Sequence, residues 1–369
     1  MGAFLDHPKI KKENRDGGGN NAKLPYKWAA SWMQGWRIDM EDAHFMHDSI
    51  PKFSNWSFFA VFDGHAGSGA AEYSEKNLLN TISETDEFKR QLSSRKDTTQ
   101  ALSEEELALV KSGLTKGFLK LDSDLQTKHE DGKQERERSG TTAVSPYSPS
   151  SHHILQFRRL QGSAMSKNYD PTSQRSLAVS RAFGDFEYKT VTGLPQNKQL
   201  VSPEPDVYVF ERKPEEDEFV VLACDGVYDV LENDELCEIV RSRLLVCKEL
   251  KEVTDQVLDI CLSKGSRDNM TMILIAFDQA PKFDVEQFDE EFKWRENVKV
   301  KIEEYLERPD VKELEIVDAE CVQNYLKEKA ELDTSKPGGM HLCRPLIHAA
   351  LERRPVPAGQ AQTNEVDMS

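Results

Sequence analysis

Three apolar runs in this chain each meet an aspartate at one end, and no other feature restricts the fold as much. "FFAVF" (58–62) runs into Asp63-Gly64-His65, "FVVLAC" (219–224) runs into Asp225-Gly226, and Arg267-Asp268-Asn269 immediately precedes "MTMILIAF" (270–277). Apolar stretches without polar alternation read as strands covered on both faces. A lone carboxylate at the mouth of such a strand is costly to desolvate. If the strands share a sheet and these ends converge, mutual repulsion forbids three ionised aspartates unless hard cations sit between them on oxygen ligands. Asp63 is read on this ground as a metal ligand. An unaccompanied Asp-Gly is more often a turn, but two strand-terminal copies together with Arg-Asp-Asn outweigh that reading.

Just upstream, "GWRIDMEDAHF" carries Arg37, Glu41 and Asp42. A strand there, paired beside residues 58–62, would deliver Arg37 and Glu41 to the same rim. Arginine offers a planar fork that matches phosphate oxygens, and Glu41 adds a further hard ligand. The pieces describe a two-metal centre beside a guanidinium, suited to orienting a water for in-line attack on a phosphomonoester. His65 stands where it could protonate the departing alkoxide. The plainer alternatives are a capping or surface role for His65 and an ordinary ion pair of Arg37 with Glu41 or Asp42.

The 369 residues leave room for one large domain and a small one. A formal net charge of -17 argues against a general nucleic-acid surface, although a local basic groove for a phosphorylated partner is still allowed. Cysteines 224, 237, 247, 261, 321 and 343 form no CxxC pair, and no signal peptide opens the chain, so reduced thiols in the cytoplasm or nucleus are expected. No apolar run reaches the length of a membrane span. Membrane contact is expected only if Gly2 is myristoylated, and Asp6 stands where that motif wants Ser or Thr.

The segments divide the chain. Residues 1–23 are polar and Gly-rich and read as a flexible lead. Residues 24–280 mix strands and helices in blocks, which suggests an α+β fold of packed antiparallel sheets flanked by helices. Within it, Ser103 to Glu106 is a capping box opening a helix with Leu107, Val110, Leu114, Phe118, Leu121 and Leu125 on one face, and Gly113 and Gly117 as weak points. A helix after His65 should bury Ala71, Ser74, Leu78 and Ile82, and a later pair covers about 234–245 and 252–263, ending at Gly265. Residues 281–354 form a helical domain, with Val285, Phe288, Phe292, Ile302 and Leu306 on its first helix and Pro345 opening its last. Residues 355–369 read as a disordered tail.

Rival motifs fail on geometry. Cys237 and Arg243 match a Cys-x5-Arg spacing, but six helical residues rotate by about 240 degrees and no Gly-rich loop is present. Gly64, Gly67 and Gly69 lack the dinucleotide spacing, and Asp63 would repel a pyrophosphate. His152-His153 lies in a Pro/Ser-rich stretch and reads as solvated loop.

"RIDMEDAH", "FFAVFDGHAGSGAAEY", "SGTTAV", "SLAVSRAFGDFEYK", "LVSPEPDV", "LACDGVYDVL" and "GSRDNMTMILI" resemble, in order, the motifs of the metal-dependent serine/threonine protein phosphatases of the PPM type, protein phosphatase type 2C. "MGAFLD" and "KPGGMHLCRPLIHAALERR" further resemble the animal alpha/beta forms, which carry a small helical C-terminal domain. The resemblance implies a sandwich of two antiparallel sheets with two Mn2+ or Mg2+ ions in a cleft at one end. It implies that Asp63 bridges both ions, that the Gly64 carbonyl and Glu41 serve one, and that Asp225 and Asp268 hold the other. Asp42 would support water at the metals, Arg37 would grip the substrate phosphate, and His65 would be the general acid. Water would be the nucleophile, with no phosphoenzyme; the partners would be phosphorylated proteins and the chain a monomer.

The chain departs from that pattern around 145–176. A Gly-Asp-Ser hairpin and an Asp-His-Lys-Pro loop are missing, no acidic residue lies between Ser139 and Lys167, and Pro146 and Pro149 are expected to break any strand there. The neighbouring strands should then lose partners and expose edges, and a third, weaker metal site would lose a ligand. Two function classes remain: an active phosphatase for phosphoserine and phosphothreonine, and a catalytically impaired relative that binds metal or phosphoprotein partners.

Overall fold

The computed structural model describes residues 4–18, 26–48, 56–94, 102–130, 139–150, 153–158, 168–170, 175–177, 179–314, 316–329, 332–333 and 335–354. Strands β1 (Phe4–Lys9), β2 (Glu13–Gly18), β3 (Tyr26–Met33), β4 (Gly35–Arg37), β5 (Ala43–His47) and β6 (Ser57–His65) lead into helices α1 (Gly69–Ser83), α2 (Asp86–Ser94) and α3 (Glu104–Glu130). Strands β7 (Gly140–Ser150), β8 (His153–Arg158), β9 (Asn168–Asp170), β10 (Arg175–Leu177), β11 (Phe183–Gly184), β12 (Asp206–Glu211) and β13 (Phe219–Ala223) follow. Then come α4 (Asp225–Tyr228), α5 (Asn233–Val246), α6 (Leu250–Ser263) and β14 (Met270–Phe277), and the chain continues through α7 (Val285–Leu306), α8 (Pro309–Lys312), α9 (Ala319–Lys329) and α10 (Arg344–Arg353).

Two antiparallel sheets carry the architecture, one ordered β12-β8-β7-β6-β5 with β11 also on β7, the other ordered β13-β14-β3-β2. The period of two along a strand explains why the runs are apolar throughout. Phe59 and Val61 of β6 meet Tyr26, Trp28, Ile273 and Ile275 between the sheets. Phe58, Ala60 and Phe62, on the opposite face, pack with Leu78, Ile82, Val110 and Leu114 of α1 and α3. On β14, Met272 and Leu274 pack with Ile239, Val240, Val257 and Leu258 of α5 and α6. Each fully buried side chain of this size stabilises the fold by about 1.5–3 kcal/mol.

The capping box holds: the Glu106 amide donates to Ser103 Oγ at 3.2 Å and the Ser103 amide to Glu106 Oε2 at 2.8 Å. Gly113 and Gly117 are not weak points of α3, because a Cβ at the first would overlap Phe88 and at the second Ile82. They let α1 and α2 approach the α3 backbone. The helix after His65 buries Ala71, Ser74, Leu78 and Ile82 as its spacing predicts.

Pro146 and Pro149 do not end the strand. β7 runs through both, in antiparallel pairing with β6 on one side and β8 on the other. The ladder to β6 skips the pairs opposite Ser145 and Pro146, and the ladder to β8 shifts register between Tyr147 and Ser150. A missing N–H removes a ladder bond: at Pro146 the β6 ladder is interrupted while Pro146↔Gln156 continues on β8, and Pro149 falls beyond the last β6 pair, inside the register shift to β8. The expected loss of partners is also not met, because β8 pairs with β12 from Asp206↔Arg158 to Glu211↔His153. His153 thus opens a strand rather than lying in loop, whereas His152 lies outside the described residues.

At the amino end, residues 4–18 are paired rather than flexible: β1 lies on β4 and β2 on β3. The rest of the expected lead and the tail 355–369 lie outside the described residues. At the other end, Val298, Ile302, Val322, Leu326, Met340, Cys343 and Ile347 form a separate apolar cluster among α7, α9, α10 and the 3-10 turn Gly339–Cys343 before it. The buried face of α7 differs from the predicted one: Glu291, Val298 and Ile302 are buried, while Val285 and Phe292 are more than half exposed. Glu291 turns inward because Arg243 Nη1 of α5 donates to its Oε1 at 2.8 Å. Arg243 is therefore a buried link between helices, while Cys237 is half-buried and its thiol is pushed up by that burial. All six cysteines are free.

Candidate active site

The sandwich brings the strand ends together at one edge. β6 carries Asp63, whose carbonyl accepts from Thr141 Oγ1 of β7 at 3.0 Å. Its Oδ2 lies 3.4 Å from the Asp225 amide, at the point where β13 turns into α4. Asp268 precedes β14; its Oδ1 accepts from the Asn269 amide at 2.8 Å, and its Oδ2 accepts from Arg37 Nη2 at 2.5 Å. Arg37, at the end of β4, thus pairs with Asp268 rather than with Glu41 or Asp42. The pair is about one-third exposed, so it opens to solvent and is accessible to a ligand.

Glu41 and Asp42 sit on the loop between β4 and β5. The Glu41 amide donates to Asn269 Oδ1 at 2.8 Å, and Glu41 Oε1 accepts from the Gly67 amide at 2.6 Å. The amide before α1 is therefore aimed at a carboxylate of this chain, which removes the dinucleotide reading. Gly64 lies against the Glu41 carbonyl so closely that a Cβ would overlap it. Asp42 Oδ2 accepts from Thr271 Oγ1 of β14 at 2.6 Å, joining the two sheets. Burial pushes the Asp42 carboxyl up to about 7, the Thr271 and Cys224 hydrogen bonds oppose this, and the Asp225 and Asp268 carboxylates add to it. Burial likewise drives the Cys224 thiol well above its ordinary value, and Asp42, Asp63 and Asp225 push it further.

Burial is the main cause of both shifts, and the carboxylates of Asp42, Asp63, Asp225 and Asp268 add to them as neighbours at one place. An all-oxygen set of several carboxylates with one guanidinium beside it fits hard divalent cations such as Mg2+ or Mn2+. Among the described residues no three Asp, Glu, His or Cys side chains close on a single point. Water and backbone carbonyls would complete the coordination shell, as Mg2+ in particular tolerates.

His65 ends β6 and meets Asp185 rather than Asp63, Asp225 or Asp268, its Nε2 and Asp185 Oδ2 sharing a hydrogen bond of 2.8 Å. The two side chains meet above Gly140, where a Cβ would overlap both. Gly140→Ala is expected to cost about 1–3 kcal/mol through this overlap. An unchanged urea midpoint would mean that the pair separates freely.

Two residues escaped the sequence reading. Asn269 ties the 34–41 loop to β14: its Nδ2 donates to the carbonyls of Gln34 at 2.9 Å and Asp39 at 3.0 Å while its Oδ1 accepts from Glu41. Asp185 is 4% exposed and supports the imidazole. Both stand inside quoted motifs, "RDNMT" and "AFGDF", but no spacing rule signals a partner so far away in sequence.

A family model described as Protein phosphatase 2C matches residues 26–157 and 151–270. The two matched pieces meet inside the segment that departs from the pattern. Protein phosphatase ppm-1.A of Caenorhabditis elegans is 41% identical over 339 residues, covering 83% of this chain and 70% of that protein. Protein phosphatase 1B of Mus musculus is 39% identical over 88% of this chain and 90% of its own length. Protein phosphatase 1A of Homo sapiens is 40% identical over 84% of each. Among solved structures, serine-threonine phosphatase 2C from Toxoplasma gondii is similar in fold, with a TM-score of 0.57 at 16% identity, covering 72% of this chain and 99% of that one.

Proposed function

This chain belongs to the protein phosphatase 2C family of metal-dependent serine/threonine phosphatases, and from that premise we propose that it hydrolyses phosphoserine and phosphothreonine in proteins with two divalent cations. The observation that carries the reading is the meeting of both sheets at one edge, with Asp63 against the Asp225 amide and Arg37 on Asp268. Asp63, Asp225, Asp268, Glu41 and the Gly64 carbonyl are the groups to hold the cations. When bound, such ions lower the pKa of water and neutralise phosphoryl charge. Arg37, its side chain about one-third exposed beside Asp268, offers its fork to the phosphate oxygens. Asp42 receives a hydrogen bond from Thr271 and orients water at the cleft. His65 gives a proton to the departing serine or threonine oxygen.

The partners on this reading are phosphorylated proteins, met by a monomer in the cytoplasm or nucleus. No described helix is long and apolar enough to cross a membrane, and contact with one rests on acylation of Gly2. The Arg37–Asp268 contact favours one second reading, an impaired relative in which the guanidinium occupies a ligand's carboxylate. Hydrolysis of a phosphothreonine peptide across a Mn2+ titration separates the two. Metal-dependent turnover is expected, together with stabilisation of about 2.7 kcal/mol at a hundredfold excess over Kd. A folded, monodisperse sample with neither turnover nor a melting shift would overturn the proposal.

A further inference from the structure

We propose that Asp185 is the positioning residue of the phosphatase site, holding His65 through Nε2–H so that Nδ1 is the ring nitrogen left to protonate the leaving oxygen. The inference deepens the proposed phosphatase reading and rests on it.

Four features of the fold bear on this pair. The strands bring the residues to opposite sides of one glycine, since His65 of β6 and Gly184 of β11 both pair with Gly140 of β7. His65 and Asp185, which directly follows β11, meet over Gly140, where a Cβ would overlap both side chains, so the missing side chain supplies the gap. Among the described residues, the non-glycine positions with positive φ are Ala66 at 56° and Asp185 at 51°, one directly after His65 and the other its partner. Such conformations are costly for L-residues and persist where the surrounding structure over-determines them. They fall here on the two chain segments that aim this contact.

The segment carrying Asp185 is also pinned from behind. Asp122 of α3 accepts from the Gly184 amide at 2.9 Å and from Lys189 Nζ at 2.8 Å, and Lys189 and Asp122 are 4% and 1% exposed. Lys189 Nζ also donates to the Ala182 carbonyl at 2.9 Å. Residues 182–189 are therefore clamped on both sides of Asp185, and the carboxylate itself is 4% exposed. A buried acceptor held this firmly selects the Nε2–H tautomer of its imidazole. In the reaction the proton passes from Nδ1 of the imidazolium to the leaving oxygen as the P–O bond to it breaks, while water forms the new P–O bond and releases a proton to solvent, from which Nδ1 is reprotonated. Nε2–H stays on Asp185 throughout.

General acid help matters for an alkoxide and little for a phenolate that leaves unprotonated. Asp185→Asn keeps the size and tolerates the positive φ, but its amide can turn a donor toward the ring. With Mn2+ present, kcat on a phosphothreonine peptide is expected to fall by about 100-fold or more at similar KM. Turnover of p-nitrophenyl phosphate should stay within about threefold, because its leaving group needs no proton. His65→Gln should show the same split, and the double variant should lose no more than His65→Gln alone. Equal losses on both substrates in Asp185→Asn would overturn the positioning role and leave the phosphatase reading intact. No turnover of either substrate by the unmodified chain would instead overturn the phosphatase reading. The pair is then still judged by 15N-imidazole NMR of the unmodified protein, assigned with His65→Gln. A neutral His65 protonated at Nε2 supports the proposal, and one protonated at Nδ1 overturns it.

Discussion

Asp63→Asn is expected to reduce Mn2+-dependent hydrolysis of a phosphothreonine peptide by about 1,000-fold or more, equivalent to about 4 kcal/mol of transition-state stabilisation. The substitution is nearly isosteric, and the contacts that hold the backbone there remain: the Thr141 hydroxyl donates to the residue 63 carbonyl, and β6 stays paired to β7 through Asp63↔Thr142. What is lost is a charge that, after burial, helps raise the neighbouring Cys224 thiol together with Asp42 and Asp225. Without metal, the variant should therefore melt no lower than the unmodified chain, because one of several mutually repelling carboxylates is gone. With metal, its melting shift should be largely absent. Turnover within tenfold of the unmodified chain would remove Asp63 from the site.

The second large effect concerns stability. Arg243→Ala is expected to destabilise the protein by about 3–5 kcal/mol in urea unfolding, because it leaves Glu291 buried without its closest cation. Arg243 is 1% and Glu291 4% exposed, and both Arg295 and Lys336 also reach Glu291, at 3.2 Å and 3.4 Å. Burial alone would raise the Glu291 carboxyl, but the hydrogen bond and charge of Arg243, with Arg295 and Lys336, hold it below its ordinary 4.5. A carboxyl lowered on folding contributes stability above its unfolded value and loses it as pH falls through the folded one. The deficit of Arg243→Ala should accordingly be full at neutral pH and shrink below pH 4.5. Replacing both partners, Arg243→Met with Glu291→Leu, should recover much of the loss, since a well-packed apolar pair of similar volume stabilises about as well as a buried ion pair. A single variant within 1 kcal/mol of the unmodified protein would mean that Glu291 reaches water once Arg243 is gone.

The strand-end aspartates were legible because burial on both faces and a terminal charge are local properties of a short string. The helix opened by the Ser103 capping box and the pair expected at about 234–245 and 252–263 were legible for the same reason, their start, stop and spacing signals lying within a turn or two of each other. Pro146 and Pro149 misled because a proline's missing N–H rules out one ladder bond, not the strand, and the register of β7 with two neighbours decides which bond is dispensable. Gly113 and Gly117 looked like defects of α3 until Phe88 and Ile82 were found against them. Residues 4–18, polar and Gly-rich, were read as flexible because pairing to β3 and β4 leaves no mark in their own composition.

Asp63, Asp225 and Asp268 were marked as candidates from the chain alone, because an apolar strand that ends in charge calls for a compensating partner, and Arg37 and Glu41 because they stand just upstream in one short motif. Which of them touch was decided only by the packing of two sheets: Arg37 chose Asp268 across 231 positions, and His65 chose Asp185 across 120. Residue type and local spacing carry short-range energetics such as burial, capping and charge. Contacts between distant segments depend on register, on sheet order and on a glycine small enough to let two side chains meet, and those are settled only when the whole chain has folded.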